Sequence, residues 1–382
     1  MKMLMVSKSA VVAAHHGKLQ ELVKLGVDLT LIVPSRWGTQ QLEVTEAASY
    51  KIRVLPCWFN SNLHFHFYPT AMRSIDADIV YLEEEPWSVV THQFMRLCVL
   101  SRKPVLFTTW QTINKRYPPP FSLFERYTFR HAQAAIAGNS EAMELLRRRG
   151  FTKPIAVIPY GVYPDVFFKR EVESLRQKLG VANTFVIGYV GRVLSIKGLA
   201  DLIQAFALLP SSCSLLIVGE GDFRGKGEEL AQSLGVGSRI RWLPPVASLD
   251  IPDIMNAMDV LVLPSRTMSN WKEQFGRVLI EAMACETPTI GSSSGEIPTV
   301  IGDGGLVFPE ADVGALAKQL KCLFDSPQLR VELGRKGRAR VLSNFTQQRM
   351  AQELVNLCRI ALTDSCELRP RAAAVQETGK VS

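Results

Sequence analysis

The sequence predicts two doubly wound α/β domains in tandem, facing a central cleft. Three observations carry that expectation. Short apolar runs without alternation recur through both halves, as strands covered on both faces of a parallel sheet require. Stretches of helical periodicity separate them. At 382 residues the chain is long for one core and suits two.

The elements follow in order. Met1-Lys2-Met3-Leu4-Met5-Val6 is too brief for a signal peptide and reads as a buried first strand. Residues 29–33, 79–82, 105–109 and 134–137 are further strands, and 141–149 is a helix capped by Ser140. The rhythm breaks at Ile158-Pro159-Tyr160-Gly161, with Pro164 following, and a domain boundary is expected there. It restarts with strands at 185–190, 215–218, 260–263 and 288–291 and helices at 199–209 and 278–285. The expected units are a front domain over 1–163 and a second over 164–345. A helix over 346–362 can cross back to the front domain, and a disordered tail covers 363–382.

Apolar residues at 47% and charged residues at 21% describe a soluble globular protein. No run approaches the length of a membrane-spanning helix. Seven scattered cysteines without a C-x-x-C argue against a disulfide framework or zinc site and fit a reducing, cytoplasmic setting. The net charge is +8, of which residues 1–165 hold +6. A basic front half can face anionic lipid or a phosphorylated substrate. A nucleic-acid partner is not expected, because no aromatic-basic module is visible. The helix ending in Arg147-Arg148-Arg149 makes an anionic membrane surface a candidate partner, with the protein peripheral to its inner face.

In open α/β sheets ligands bind beyond the carboxyl ends of the strands. Gly191-Arg192 and Lys197-Gly198 follow one strand, and the two cations suit a departing diphosphate. Gly219-Glu220-Gly221 follows the next, though Gly225 comes one residue late for a dinucleotide fingerprint. After the third come Glu273-Gln274-Phe275-Gly276-Arg277-Val278 and, inside the helix two turns after Glu273, Glu281. Free amides at that helix start can hold a phosphate. An N-terminal acid also favours the helix dipole, which accounts for Glu273 but not for Glu281 inside an apolar run.

The E-x7-E pattern from Glu273 to Glu281 resembles the family-4 retaining glycosyltransferases of GT-B fold, built from two Rossmann-like domains. Ile217-Val218-Gly219-Glu220-Gly221, Leu263-Pro264-Ser265 and Ser294-Gly295-Glu296-Ile297-Pro298 stand in the expected order, and the match covers roughly 185–345. The resemblance implies that Arg192, Lys197 and Glu273 are catalytic. It implies that Gly191, Glu220, Phe275, Gly276, Arg277, Val278 and Glu281 bind a nucleoside-diphosphate sugar. No metal or other cofactor is implied, since Arg and Lys supply the positive charge. The implied reaction moves a hexose-type sugar to a saccharide or lipid-linked acceptor, as in polysaccharide biosynthesis. A nucleotide-sugar epimerase and a catalytically silent binding protein are the alternatives.

The front half departs from the family pattern. The stretch Ser7 to Lys18 has one glycine, and Lys8, His16 and Lys18 are its candidates for phosphate or acceptor contact. Trp110 stands near a position where many members have histidine and can wall an acceptor site. Glu84 and Glu85, in Glu83-Glu84-Glu85-Pro86-Trp87, can bind acceptor hydroxyls. Glu286 replaces a common glycine and costs stability if its turn needs positive φ. Asp76-Ala77-Asp78 precedes a strand and so should lie away from the cleft. His64-Phe65-His66 alternates like a half-buried strand, with no further ligands to complete a metal site.

Overall fold

A computed structural model describes residues 1–12, 15–43, 49–69 and 75–367. The front unit is built on a parallel sheet of β1 (Lys2–Val6), β2 (Asp28–Pro34), β5 (Lys51–Leu55), β6 (Ile79–Leu82), β7 (Val105–Thr109), β8 (Ala134–Ala137) and β9 (Ile155–Val157). Their order is β5-β2-β1-β6-β7-β8-β9, and a small hairpin of β3 (Arg36–Trp37) and β4 (Gln40–Gln41) stands beside it. The second unit is a parallel sheet of β10 (Phe185–Val190), β11 (Cys213–Val218), β12 (Ile240–Leu243), β13 (Val260–Leu263), β14 (Thr289–Ser292) and β15 (Gly305–Phe308), in the order β12-β11-β10-β13-β14-β15. Both are doubly wound, with β1 and β10 flanked on each side by strands from opposite crossovers. The central strands β6, β7, β8, β11 and β13 are buried along their whole length, which is why they read as unbroken apolar runs.

The front helices are α1 (Gly17–Lys24), α2 (Val89–Leu100), α3 (Phe121–His131) and α4 (Ser140–Arg148). The second unit carries α5 (Glu173–Lys178), α6 (Leu199–Ala207), α7 (Arg224–Ser233), α8 (Ile251–Asn256), α9 (Arg277–Ala284), α10 (Ile297–Ile301), α11 (Val313–Asp325) and α12 (Pro327–Asn344). The last helix, α13 (Gln347–Glu367), packs on α1. Its Ala351, Leu354, Val355, Leu357, Cys358 and Ala361 share a core with Met3, Met5, Leu19 and Leu22. The two passages between the sheets run side by side: Val162 N donates to Phe345 O at 2.8 Å, and Gln347 N to Val162 O at 3.1 Å.

Some expectations need correcting. The cap of α4 is Asn139, whose Oδ1 accepts from Ala142 N at 2.8 Å; Ser140 is the first helical residue. The helix α13 runs on to Glu367 rather than ending at 362. The rest of the expected tail, 368–382, lies outside the described residues. His64 to His66 is a turn closed by pairing of Trp58 with Phe67, not a strand. Among the described residues no helix is long and apolar enough to cross a membrane.

Candidate active site

The carboxyl ends of β10 and β13 are drawn together by their loops. Gly198 adopts φ 70°, and a Cβ there would stand 1.9 Å from Pro264 O. Gly295, at φ 52°, lies equally close to Glu273 O. Only glycine allows both approaches. They bring Lys197 from one loop onto Glu273 from the other. Lys197 Nζ donates to Glu273 Oε2 at 2.6 Å, and Ser265 Oγ donates to the same oxygen at 2.8 Å. The Lys197 ammonium also lies 4.7 Å from the centre of the Trp271 ring. Trp271 is held by a tight turn, with Met268 N donating to Trp271 O at 2.7 Å. Glu273 and Ser265 are buried, so this polar cluster is fixed before any ligand arrives.

The other predicted donor-side residues follow the ends of β10 and β11 or open α9. Gly191 N bonds to Val218 O at the end of β11, and Arg192 follows as an exposed cation whose carbonyl accepts from the Tyr189 hydroxyl at 2.7 Å. The carbonyl of Glu220 takes Val193 N at 2.7 Å, leaving its exposed side chain outside the core. Gly276 caps α9, which opens at Arg277 followed by Val278. Glu281 sits one turn further and is buried; burial raises its carboxyl above the usual range against the pull of Arg277, whose Nε donates to Glu281 Oε1 at 2.8 Å. Glu273 and Glu281 therefore have separate cationic partners. Phe275 is a joint between the units, with its ring against Trp110, Tyr160 and Phe345.

On the front side, three consecutive acids at the end of β6 reach three different loops. Glu83 accepts from Ser7 Oγ at 2.5 Å and pairs with Lys18. Glu84 is buried against Lys8, and His66 Nε2 lies 3.2 Å from its Oε2. Burial alone would raise the Glu84 carboxyl, but Lys8 and His66 outweigh it and hold it at about 2. Glu85 accepts from Thr109 Oγ1 at 2.6 Å and Trp110 N at 3.0 Å; burial raises its carboxyl. These acids are braces within the front unit rather than a solvated acidic loop. His16 is buried with Nε2 donating to Ala10 O at 2.7 Å, while its Nδ1 has no partner among the described residues. Trp110 is stacked on Tyr160 with ring centres 4.2 Å apart, so that side of the expected acceptor wall is covered.

Asp76 and Asp78 pair with Lys2 at the amino end of β1, away from these loops. Among the described residues no cluster of acids, histidines and cysteines has the makings of a metal site.

Residues 171–340 match the family described as glycosyl transferases group 1, and residues 18–166 match glycosyltransferase family 4. The chain belongs to glycosyltransferase family 4. Among its relatives are CapM, a capsular polysaccharide biosynthesis glycosyltransferase of Staphylococcus aureus, 30% identical over 55% of this chain and 57% of CapM. A D-inositol 3-phosphate glycosyltransferase of Streptomyces avermitilis is 33% identical over 53% of this chain and 47% of its own. The family-4 chain thus spans about half the length of the curated relatives it matches. Sucrose-phosphate synthase of Thermosynechococcus elongatus superposes on 95% of it with a TM-score of 0.74 at 20% identity. HepE of Anabaena, solved in complex with UDP-glucose, superposes on 94% with the same score and identity. Likeness at that identity speaks for the fold, which is GT-B.

Three features of this family-4 site escaped sequence reasoning. Ser265 and Trp271 complete the surroundings of Lys197, and His15 stands close enough to Lys18 and Arg277 to feel both. Burial, then those two cations, push the His15 imidazole down to about 3. Ser265 carried a signal, since it ends the strand run Leu263-Pro264. Lys197, which meets Trp271, and Arg277, which acts on His15, come from distant segments and left none.

The membrane expectation for the basic end of α4 also changes. Arg147 donates to the carbonyls of Phe151 and Lys153, and Arg149 holds Glu125, Asn114 and the carbonyl of Lys115. These two cations tie the front unit together, and Arg148 pairs with Glu144.

Proposed function

We propose that this family-4 chain moves a hexose-type sugar from a nucleoside diphosphate to a hydroxyl of a saccharide or lipid-linked acceptor, with retention at the anomeric carbon and without a metal. The observation that carries this reading is the buried meeting of Lys197, Ser265 and Glu273 beside the open amino end of α9. The UDP-glucose bound by HepE, which shares the fold, supports a nucleotide-sugar donor.

In this reading the acceptor oxygen attacks the anomeric carbon on the face from which the diphosphate departs. The carbon–oxygen bond to the diphosphate breaks as the new one forms, and the departing phosphate oxygen takes the acceptor proton. The leaving group gains negative charge, and Arg192 and Lys197 lower the barrier by meeting it, the work a metal does elsewhere. The amides of Phe275, Gly276, Arg277 and Val278 cradle its phosphate. Glu273, with Oε2 committed to Lys197 and Ser265, offers its other oxygen to the sugar. Glu281 exchanges Arg277 for the ribose hydroxyls, and Glu220 lies toward the nucleoside. On the acceptor side Glu84, Glu85, His16 and Trp110 shape the front wall.

A thermal-shift screen with UDP, GDP, ADP and dTDP tests the donor reading, because a ligand of the native state raises the midpoint. Failure of all four would sink it. Proton NMR of the product decides retention, and activity should survive EDTA. A strict need for added divalent metal would overturn the metal-free mechanism.

A further inference from the structure

The front unit exposes a cluster of large apolar side chains that the transfer reaction does not use. Between β5 and β6, Trp58 is 58% and Phe59 63% exposed, and Leu63 and Phe65 stand about half out of the protein. Phe65 packs edge-on against Phe121 at 5.1 Å, which joins this loop to the start of α3, where Leu123 is exposed as well. Large apolar side chains left this exposed on one loop and the helix beside it point to a partner that covers them.

The loop is built rather than slack. Trp58 pairs with Phe67 along the backbone, Asn62 N donates to Phe59 O at 2.9 Å, and Asn62 Oδ1 accepts from His64 N at 2.9 Å. Gly38 N ties Asn60 O at 2.9 Å from another loop. Phe59 adopts φ 54°, a conformation a bulky residue takes only when its surroundings impose it. Its root is the fully buried His66 on Glu84.

Charge identifies the occupant. The loop itself, residues 56–69, contains no acid. Lys115 and Arg116 are exposed before α3, and the His64 imidazole is depressed first by burial and then by the nearby Lys115. On α3, Arg126 and Arg130 are exposed at the helical spacing of Leu123. Glu125, the acid of that helix, is buried on Arg149. Tryptophan, phenylalanine and leucine flanked, among the described residues, by Lys115, Arg116, Arg126 and Arg130 are the makings of an interfacial membrane contact. A protein partner of ordinary surface would bring carboxylates and cations alike.

We infer that the loop around Trp58, Phe59, Leu63 and Phe65, with α3 beside it, seats the front unit on an anionic bilayer. The inference stands apart from the donor chemistry. It replaces the basic end of α4, whose arginines are spent on internal contacts, as the membrane-facing surface.

Flotation with phosphatidylcholine vesicles, with and without about one part in three of phosphatidylglycerol, tests it. The full chain should float with the anionic vesicles and stay behind with the neutral ones. Trp58→Ser/Phe59→Ser/Leu63→Ser should weaken that binding about tenfold or more, the order expected from losing large apolar groups at an interface. Arg148→Gln should leave it within twofold or so of the parent. Brominated lipid should quench tryptophan fluorescence in the parent and quench less in Trp58→Phe, which keeps the loop intact. Nucleotide-induced thermal shifts, read in parallel, report whether each variant is folded. The inference fails if the parent floats with neither vesicle. It fails equally if the triple variant floats like the parent, if Trp58→Phe is quenched as fully, or if the triple variant changes only self-association.

Discussion

Lys197 and Glu273 are 12% and 11% exposed at the side chain and stand 2.6 Å apart, so each is the other's main compensation for leaving water. Lys197→Ala removes the cation and strands a carboxylate with Ser265 as its remaining donor. Breaking a buried pair from one side costs ~3–5 kcal/mol. Ser265 and the residual exposure of the cleft edge soften this, and about 2 kcal/mol is expected. In Lys197→Ala/Glu273→Gln no charge is left stranded, and stability should return to within about 1 kcal/mol of the parent. Urea unfolding at constant m measures both differences against the parent. Sugar transfer should behave otherwise. Lys197→Ala should lose ~10²-fold in turnover, as enzymes do on losing a contact to developing charge. A double variant no more stable than Lys197→Ala would show that the two residues are not an energetic unit. Turnover within a few-fold of the parent in Lys197→Ala would show that the ammonium does not meet the leaving group.

Three further outcomes follow from single contacts. Trp271→Ala should lower turnover by about tenfold by freeing the Lys197 ammonium, while Trp271→Phe keeps a ring beneath it and should retain most of the rate; equal losses in the two would refute a positioning role. Glu286 holds φ 59° and leans on Lys169 only at 3.9 Å, so Glu286→Gly should raise stability by about 1 kcal/mol in denaturant titration. His15 is held neutral in the fold, with its imidazole near 3 against 6.5 when unfolded. The unfolded chain therefore takes up the proton first, and stability falls as pH drops from 6.5 toward 3; His15→Gln should flatten that stretch of the profile, and an unchanged slope would exclude His15 as its source.

What the sequence revealed follows burial. The strands visible as apolar runs are the interior ones. In the two parallel sheets β5, β12 and β15 passed unread, all at sheet edges, as did the two-residue strands β3 and β4 of the hairpin. In β5 Lys51 and Arg53, and in β12 Arg241, break the apolar run, since an edge strand has one side in water and profits from charge. The site divides in the same manner. Arg192, Lys197, Glu273 and Glu281 were legible because each follows a strand end or interrupts an apolar helix. Their pairing was not, because Lys197 meets Glu273 only through the glycine contacts at Gly198 and Gly295. The internal partners of the front-side acids were not legible for a related reason. Glu83, Glu84 and Glu85 meet Lys18, Lys8 and Thr109, which arrive from three separate segments.

The contacts between the two units also bear on how the site works. They converge on the segment carrying Glu273. Lys272 pairs with Glu141 at 2.6 Å, Asn139 Nδ2 donates to Gln274 O at 2.6 Å, and Gln274 Nε2 donates to Trp110 O at 2.7 Å. The carboxylate itself takes its partners, Lys197 and Ser265, from its own unit. Separating the units would thus release both neighbours of Glu273 while leaving its side chain held. In the proposed reaction, donor binding then rests on contacts within the second unit and the joint to the front unit on the residues beside them. Asn139→Ala removes one cross-contact and the cap of α4 together, whereas Gln274→Ala removes a cross-contact alone and leaves the Lys197–Glu273 pair intact. Gln274→Ala should therefore spare the nucleotide-induced thermal shift while slowing transfer, and loss of both in step would mean that the front unit sets the donor site as well.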